Sequence, residues 1–102
     1  MNILTIDTSN NKEITISLKV GEKEYIQKKM MGKVQVVLPM IEQLLKKQNI
    51  QVQELTAIKI NTGPGSFTGL RVGIAIANAL SFFLKIPING KKVGILQEPR
   101  YS

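Results

Sequence analysis

The stretch of this chain with the greatest potential for chemistry is the glycine-rich segment at residues 61–73. Its Gly63-Pro64-Gly65 tripeptide predicts a tight turn, and Ser66 or Thr68 then stands where a side chain can cap a following helix. Such a helix start presents unpaired backbone N–H groups to an anion. A nucleotide-hydrolysing loop would add a lysine on the phosphates or a carboxylate that holds magnesium. Here Arg71 is the only charged residue, so the segment has the shape of a phosphate loop without its catalytic groups.

Asp7 is the second candidate, because it is the only aspartate and it ends a predicted strand. Ligands of α/β proteins bind at the carboxyl ends of strands. Two roles are open for Asp7 and Thr8: contact with an anion beside Gly63 and Gly65, or a structural role in which both bond to the glycine turn. Arg71 can pair with Asp7, bind an anion or meet a carboxylate of a partner.

Composition excludes most hydrolase mechanisms. The chain has 102 residues with no cysteine and no histidine, so it lacks the usual nucleophile, general base and metal ligands, and we expect no metal and no cofactor. Ser66 and Thr68 have no base to activate their hydroxyls. A net charge of +7 favours either solubility or electrostatic contact with RNA. The longest apolar run, residues 72–84, is shorter than a membrane span, so we expect a cytoplasmic protein.

The hydrophobic pattern predicts an α/β fold with the order βββαβαβ. Strands are predicted at residues 2–7, 13–20, 23–30, 55–61 and 86–89, and helices at residues 33–48 and 66–84. Pro39 either lies in the first turn of its helix or bends it. The second helix is apolar nearly all round, which requires cover on more than one side, and Phe67 at its start is expected in the core. This order is that of a ribonuclease H-like lobe with a mixed five-stranded sheet, as found in the actin and sugar-kinase (ASKHA) superfamily.

These segments together resemble the TsaB family of tRNA threonylcarbamoyladenosine biosynthesis proteins, once grouped with the M22 glycoproteases. The resemblance is carried, in the family's order, by NILTIDTS, VVLPMIEQLL, LTAIKINTGPGSFTGLRVGIAIANALSFFL and IPING. Members of that family are expected to be about twice as long, with two lobes. Residues 1–90 therefore correspond to the first lobe. Residues 91–102 are either a remnant of a deleted second lobe or a disordered tail.

The resemblance implies a noncatalytic subunit that docks onto TsaD, the catalytic subunit that forms threonylcarbamoyladenosine at position 37 of tRNA. It also implies a TsaE-like ATPase in the same complex, only indirect contact with tRNA, no membrane, and a homodimer when the chain is alone. In the family the first two helices make the contact with TsaD. The residues predicted at that interface are Val34, Val37, Ile41, Leu45, Leu70, Ile74 and Ala77, and on this basis Ile74→Glu is expected to abolish docking.

Two alternatives remain at this point. The first is a nucleotide-binding half-site of an ASKHA-type phosphotransferase, built on Asp7 and the glycine turn, and it predicts magnesium-dependent ATP binding. The second is a homodimer without enzymatic role that uses the same helices.

Overall fold

The computed structural model describes residues 1–30 and 36–100, which form a mixed four-stranded sheet with two helices. The strands are β1 (Asn2–Asp7), β2 (Glu13–Val20), β3 (Lys23–Met30) and β4 (Ala57–Ile60), and the helices are α1 (Val37–Lys47) and α2 (Phe67–Leu84). The strand order is β3-β2-β1-β4, in which β1 pairs antiparallel with β2 and parallel with β4. The predicted fold class and the order of its first six elements are confirmed.

One face of the sheet forms the core. Side chains alternate between the two faces of a strand, and the register aligns Leu4 of β1 with Leu18 of β2 and Ile58 of β4. All three are buried, as are Ile16 and Ile60 on the same face. Helix α1 packs over β2 and β3, and α2 packs over β4 and β1, so both helices cover this one face.

The start of α1 resolves the two possibilities for Pro39. The described helix begins at Val37, so Pro39 lies in the first turn, where its missing N–H costs no intrahelical bond. The helix ends at Lys47 with Lys46 and Lys47 in its last turn, where cations interact favourably with the helix dipole. The predicted start at Lys33 lies outside the described residues.

The opposite face of the sheet carries mostly polar side chains in the described part of the chain and is exposed towards its two edge strands. Its middle row runs from Ile26 on β3 through Ser17 and Thr5 to Lys59 on β4. Ile26 is 57% exposed and Lys59 is also exposed. The sheet therefore has one apolar face under two helices and one face that carries hydroxyl and amino groups.

The prediction of a fifth strand was wrong within residues 36–100, where only a single parallel bridge between Ile58 and Ile88 occupies that position. Asn89 has a left-handed backbone (φ 53°), and Gly90 follows at φ 71°, so the chain turns away after one bridged residue. The carboxamide of Asn89 accepts a hydrogen bond from the Ile60 N–H (2.8 Å) and donates one to the Ile60 carbonyl (3.0 Å). The Asn89 side chain thus makes the hydrogen bonds to β4 that the backbone of a longer strand would make.

Helix α2 is longer than the apolar run within it. It starts at Phe67 after the N-cap Ser66 and ends at Leu84, because the left-handed backbone of Lys85 (φ 55°) stops the helix. By length and apolar composition alone these 18 residues meet the criteria for a membrane span, which core helices also meet. In this fold Leu70, Ile74 and other residues of α2 are buried with the sheet.

Substitution of two isoleucines on neighbouring strands tests which face of the sheet is buried under the helices. Ile16→Ala is expected to lower the free energy of unfolding by about 2–5 kcal/mol, because it leaves a cavity under the helices. Ile26→Ala, on the open face, is expected to cost less than about 1 kcal/mol. Urea denaturation of both variants measures the difference. Equal losses would contradict the assignment of the buried face.

Candidate functional site

The turn between β4 and α2 lies beside the end of β1, where the sequence placed the candidate site. Gly63 has φ 111°, a conformation that L-residues other than glycine rarely adopt, and its N–H donates to the Asn61 side-chain oxygen at 2.9 Å. The Ser66 hydroxyl accepts a hydrogen bond from the Gly69 N–H at 3.4 Å, so Ser66 is the helix cap and this prediction is confirmed. Thr68 is exposed in the first turn.

Asp7 is held by a network of its own neighbours. One carboxylate oxygen accepts from the Ser9 N–H (3.0 Å) and the Ser9 hydroxyl (2.6 Å), and the other accepts from the Asn61 carboxamide (3.3 Å). Burial raises the pKa of this carboxyl, but the bonds from Ser9 and Asn61 outweigh it and hold the pKa below its ordinary value of 3.8. Asp7 is therefore ionised at neutral pH and is a weak base.

Thr8, which directly follows β1, makes a close contact with the backbone of α2. Its side chain is fully buried, and its hydroxyl donates to the Gly69 carbonyl at 2.6 Å. A methyl group added at Gly69 would collide with the Thr8 carbonyl oxygen, and one added at Gly73 would collide with the Thr8 hydroxyl. Glycine is required at both positions because the end of β1 occupies the space of a side chain.

The other two glycines of the turn are also covered by the chain itself. The carbonyl oxygen of Arg100 occupies the space that a side chain at position 63 would need. Ser9 occupies the corresponding space at position 65. The Arg100 N–H donates to the Thr62 carbonyl (2.7 Å), and its guanidinium donates to the Gly63 carbonyl (2.8 Å). Part of the 91–102 tail thus lies on the glycine turn. Its origin as a remnant of a second lobe stays a prediction.

Arg71 contacts Phe67, and among the described residues it forms no ion pair with Asp7. Its guanidinium carbon is 5.3 Å from the centre of the Phe67 ring, a cation–π arrangement. Phe67 is 56% exposed, so its assignment to the core was wrong. These two residues, with Thr68, Val72 and Ala75, line a surface groove of about 350 Å³. We call it the Phe67 groove.

The helix residues predicted to touch a partner face inward. Val37, Ile41 and Leu45 of α1, and Leu70, Ile74 and Ala77 of α2, are all buried in the core, and Val34 lies outside the described residues. The periodicity that selected them marks the face that packs on the sheet. As a list of surface residues it was wrong, and Ile74→Glu would test folding rather than docking.

The polar side chains that the sequence offered at this site are hydrogen-bonded within the fold. In residues 1–30 and 36–100 there is no group of three acidic, histidine or cysteine side chains that could hold a metal ion. The Ser66 hydroxyl caps α2, and the Asp7 carboxylate is bound by Ser9 and Asn61. The roles of Asp7, Thr8, Gly63, Gly65, Ser66, Thr68 and Arg71 in binding an anion stay predictions.

Sequence reasoning missed the residues that complete this network. Asn61 directly precedes the glycine turn, where an Asx side chain often bonds to the backbone two residues on, so its role was open to prediction. Arg100 is 37 residues from Gly63 in the chain, and no local pattern indicates their contact.

The fold and this turn define a class: an α/β lobe of the ribonuclease H-like, TsaD type. Its backbone is similar to that of YeaZ from Pseudomonas aeruginosa, with a TM-score of 0.82 and 28% identity, over 86% of this chain and 43% of that one. A family model described as TsaD, tRNA N6-adenosine threonylcarbamoyltransferase, matches residues 31–90.

Sequence relatives narrow the class further. The chain is 38% identical to the tRNA threonylcarbamoyladenosine biosynthesis protein TsaB of Buchnera aphidicola subsp. Schizaphis graminum, over 86% of this chain and 42% of that protein. It is 34% identical to the TsaB of Bacillus subtilis, over 87% of this chain and 40% of that protein. The chain belongs to the TsaD/TsaB family and corresponds to the first lobe of its TsaB branch. It spans about two fifths of the length of these relatives.

A double-mutant cycle tests the contact between Thr8 and α2. Gly73→Ala is expected to lower the free energy of unfolding by roughly 1–3 kcal/mol, because the new methyl group meets the Thr8 hydroxyl. Adding Thr8→Ala removes that oxygen, so part of this loss should be recovered. Gly69→Ala is the matched control, because its new methyl group would meet the Thr8 backbone carbonyl. Thr8→Ala leaves that carbonyl in place, so it should recover none of the stability that Gly69→Ala loses. Purely additive losses at Gly73 would refute the contact. Chemical denaturation of the native chain, the three single variants and the two double variants measures these changes in the free energy of unfolding.

The hydrogen bonds to Asp7 predict a specific pH dependence of stability. Because the folded pKa lies below 3.8, the ionised carboxylate stabilises the fold, and this contribution is complete above about pH 5. It declines as the pH falls through 3.8 and the lower folded pKa. The unfolding free energies of the native chain and Asp7→Asn should therefore converge in acid. Glu22→Gln, in the exposed β2–β3 turn, is the control and should show no such convergence. A constant difference for Asp7→Asn would argue against the network.

Proposed function

We propose that this chain acts in the synthesis of N6-threonylcarbamoyladenosine at position 37 of tRNA, as a noncatalytic subunit that docks onto a TsaD-like catalytic subunit. The names of its TsaB relatives and the TsaD family match support the pathway. The observation that carries the docking role is the Phe67 groove, an exposed and largely apolar surface on the outer side of α2.

The chemistry of the site supports the same role. Asp7 and Ser66, which the sequence offered as possible anion contacts, both make hydrogen bonds within the turn region. A lobe that commits these groups to its own structure is suited to support a related catalytic lobe rather than to replace it. In this proposal the protein contributes no cofactor and no metal.

The docking surface differs from the one that helix periodicity suggested. The outer side of α2 presents Thr68, Arg71, Val72 and Ala75, while the residues one or two positions away are buried against the sheet. An apolar helix of the partner that fills the groove would bury Val72 and Ala75 and leave Arg71 at the rim. A charged pair at the rim adds selectivity more than affinity.

The proposal extends to the wider setting. We propose that the protein acts in the cytoplasm, in a complex that also contains a TsaE-like ATPase, with tRNA bound through the catalytic subunit. Without its partner the chain would associate with a second copy through the exposed side of α2. Mixing with the TsaD-like subunit should then replace the homodimer with a heterodimer.

Size-exclusion chromatography with light scattering tests the proposal on this chain mixed with the TsaD-like subunit of the same organism. The native chain should form a one-to-one complex. Ala75→Glu should weaken it by at least about a hundredfold, because a charge would be buried without a partner. Ala75 is exposed, so the variant should keep its thermal stability.

Gln53→Glu is the matched control, since it adds the same charge at an exposed position before β4, and it should bind as the native chain does. Native-like binding by Ala75→Glu would locate the interface elsewhere. Failure of the native chain to bind would overturn the scaffold role.

A further inference from the structure

A second apolar surface lies at the other end of α2. Phe82 and Phe83 are 70% and 78% exposed, and their rings meet edge to face with centroids 5.8 Å apart. The chain passes these rings again after the bridge between Ile58 and Ile88. A groove of about 410 Å³ is lined there by both rings, Lys85 and Val93. A smaller cleft beside Phe82 is lined by Ile95 and Leu96. We call these residues together the Phe83 patch.

The segment that forms one wall of this patch is held at both ends. The Lys91 N–H donates to the Ile88 carbonyl at 3.0 Å, which closes the first turn. At the far end, the Asn78 carboxamide donates to the Gln97 carbonyl (3.0 Å) and accepts from the Gln97 N–H (2.9 Å). The Asn89 carboxamide also donates to the Gln97 side chain at 3.3 Å. The groove is therefore formed before any partner arrives, which lowers the entropy cost of binding.

The charged residues that line the groove or belong to the 91–97 segment are lysines, and the first acidic residue after them is Glu98. Lys85 lines the groove, and Lys91 and Lys92 precede Val93 on the exposed side of the chain. No aspartate or glutamate occurs from Leu55 to Gln97. An apolar groove beside uncompensated lysines is complementary to a partner with apolar anchors and acidic flanks.

Two other classes of partner fit less well. Basic clusters that hold proteins on anionic membranes carry about four to eight Lys or Arg, and they accompany protruding rather than concave apolar surfaces. Single-stranded nucleic acid stacks on open aromatic faces, whereas the Phe82 and Phe83 rings meet edge to face and share the lining of the groove with Val93.

We propose that the Phe83 patch is a binding site for an acidic amphipathic helix of a protein partner, whose apolar residues enter the groove while its carboxylates pair with Lys85, Lys91 and Lys92. This site is separate from the Phe67 groove, which lies at the first turns of the same helix. The inference therefore does not rest on the proposed docking to a TsaD-like subunit.

Fluorescence anisotropy tests the site with a labelled synthetic helix that carries leucines at i, i+3, i+4 and i+7 and glutamates elsewhere. A second peptide has the same leucines with lysines in place of the glutamates. The full chain should bind the acidic peptide saturably, with affinity that falls as salt is raised, and should not bind the basic one.

Variants of exposed residues assign the binding to the patch. The double variant Lys91→Glu/Lys92→Glu and the single variant Phe83→Ser should each weaken binding of the acidic peptide about tenfold or more. Lys46→Glu/Lys47→Glu, on exposed positions of α1, makes the same charge change and should alter affinity less than about twofold.

Three results would overturn the proposal: equal binding of both peptides, an equal loss in the α1 control, or no binding of the acidic peptide. If the chain sedimented with phosphatidylglycerol vesicles and did not bind the acidic peptide, the patch would be a membrane-binding surface instead. Retained docking to the TsaD-like subunit by Phe83→Ser would show that the two surfaces act separately.

Discussion

The contact of Thr8 with α2 fixes how the sheet and its second helix meet. The Thr8 hydroxyl donates to the Gly69 carbonyl, and its backbone and side chain occupy the space of a side chain at Gly69 and Gly73. The carboxyl end of β1 therefore touches the helix backbone directly. Thr8 could not approach a helix with larger residues at positions 69 and 73, so the spacing of these two glycines determines where α2 lies. The position of α2 in turn determines where the glycine turn and the exposed side of the helix lie.

This close approach explains why a turn shaped like a phosphate loop is filled by its own chain. Once β1 and α2 touch, Ser9 lies against Gly65 and its hydroxyl reaches the Asp7 carboxylate. The returning tail then places Arg100 on Gly63. The hydrogen bonds of Asp7, Ser9 and Asn61 are thus made within the fold, and the lowered pKa of Asp7 is a product of this packing.

The outer side of α2 is the side of the helix that this packing leaves exposed. Its first turns carry Arg71 against Phe67, and its last turn carries the Phe82–Phe83 pair beside Lys85. Both ends combine exposed apolar groups with positive charge, and the chain from Leu55 to Gln97 has no acidic residue to offset it. Apolar burial would supply affinity at each end, and the cations would select acidic partners.

The sequence by itself determined the strands β1 to β3, the apolar face of the sheet and the family, and it narrowed the cap of α2 to Ser66 or Thr68, because period-two alternation, capping and the glycine motif are local signals. Only the tertiary structure decided which apolar helix residues face the sheet and which face solvent, since α2 is apolar on nearly all sides. It placed Ile74 in the core and Phe67 at the surface, against expectation. It also ended the fifth strand at Ile88 and brought Arg100 to Gly63, contacts between distant segments that no local pattern encodes.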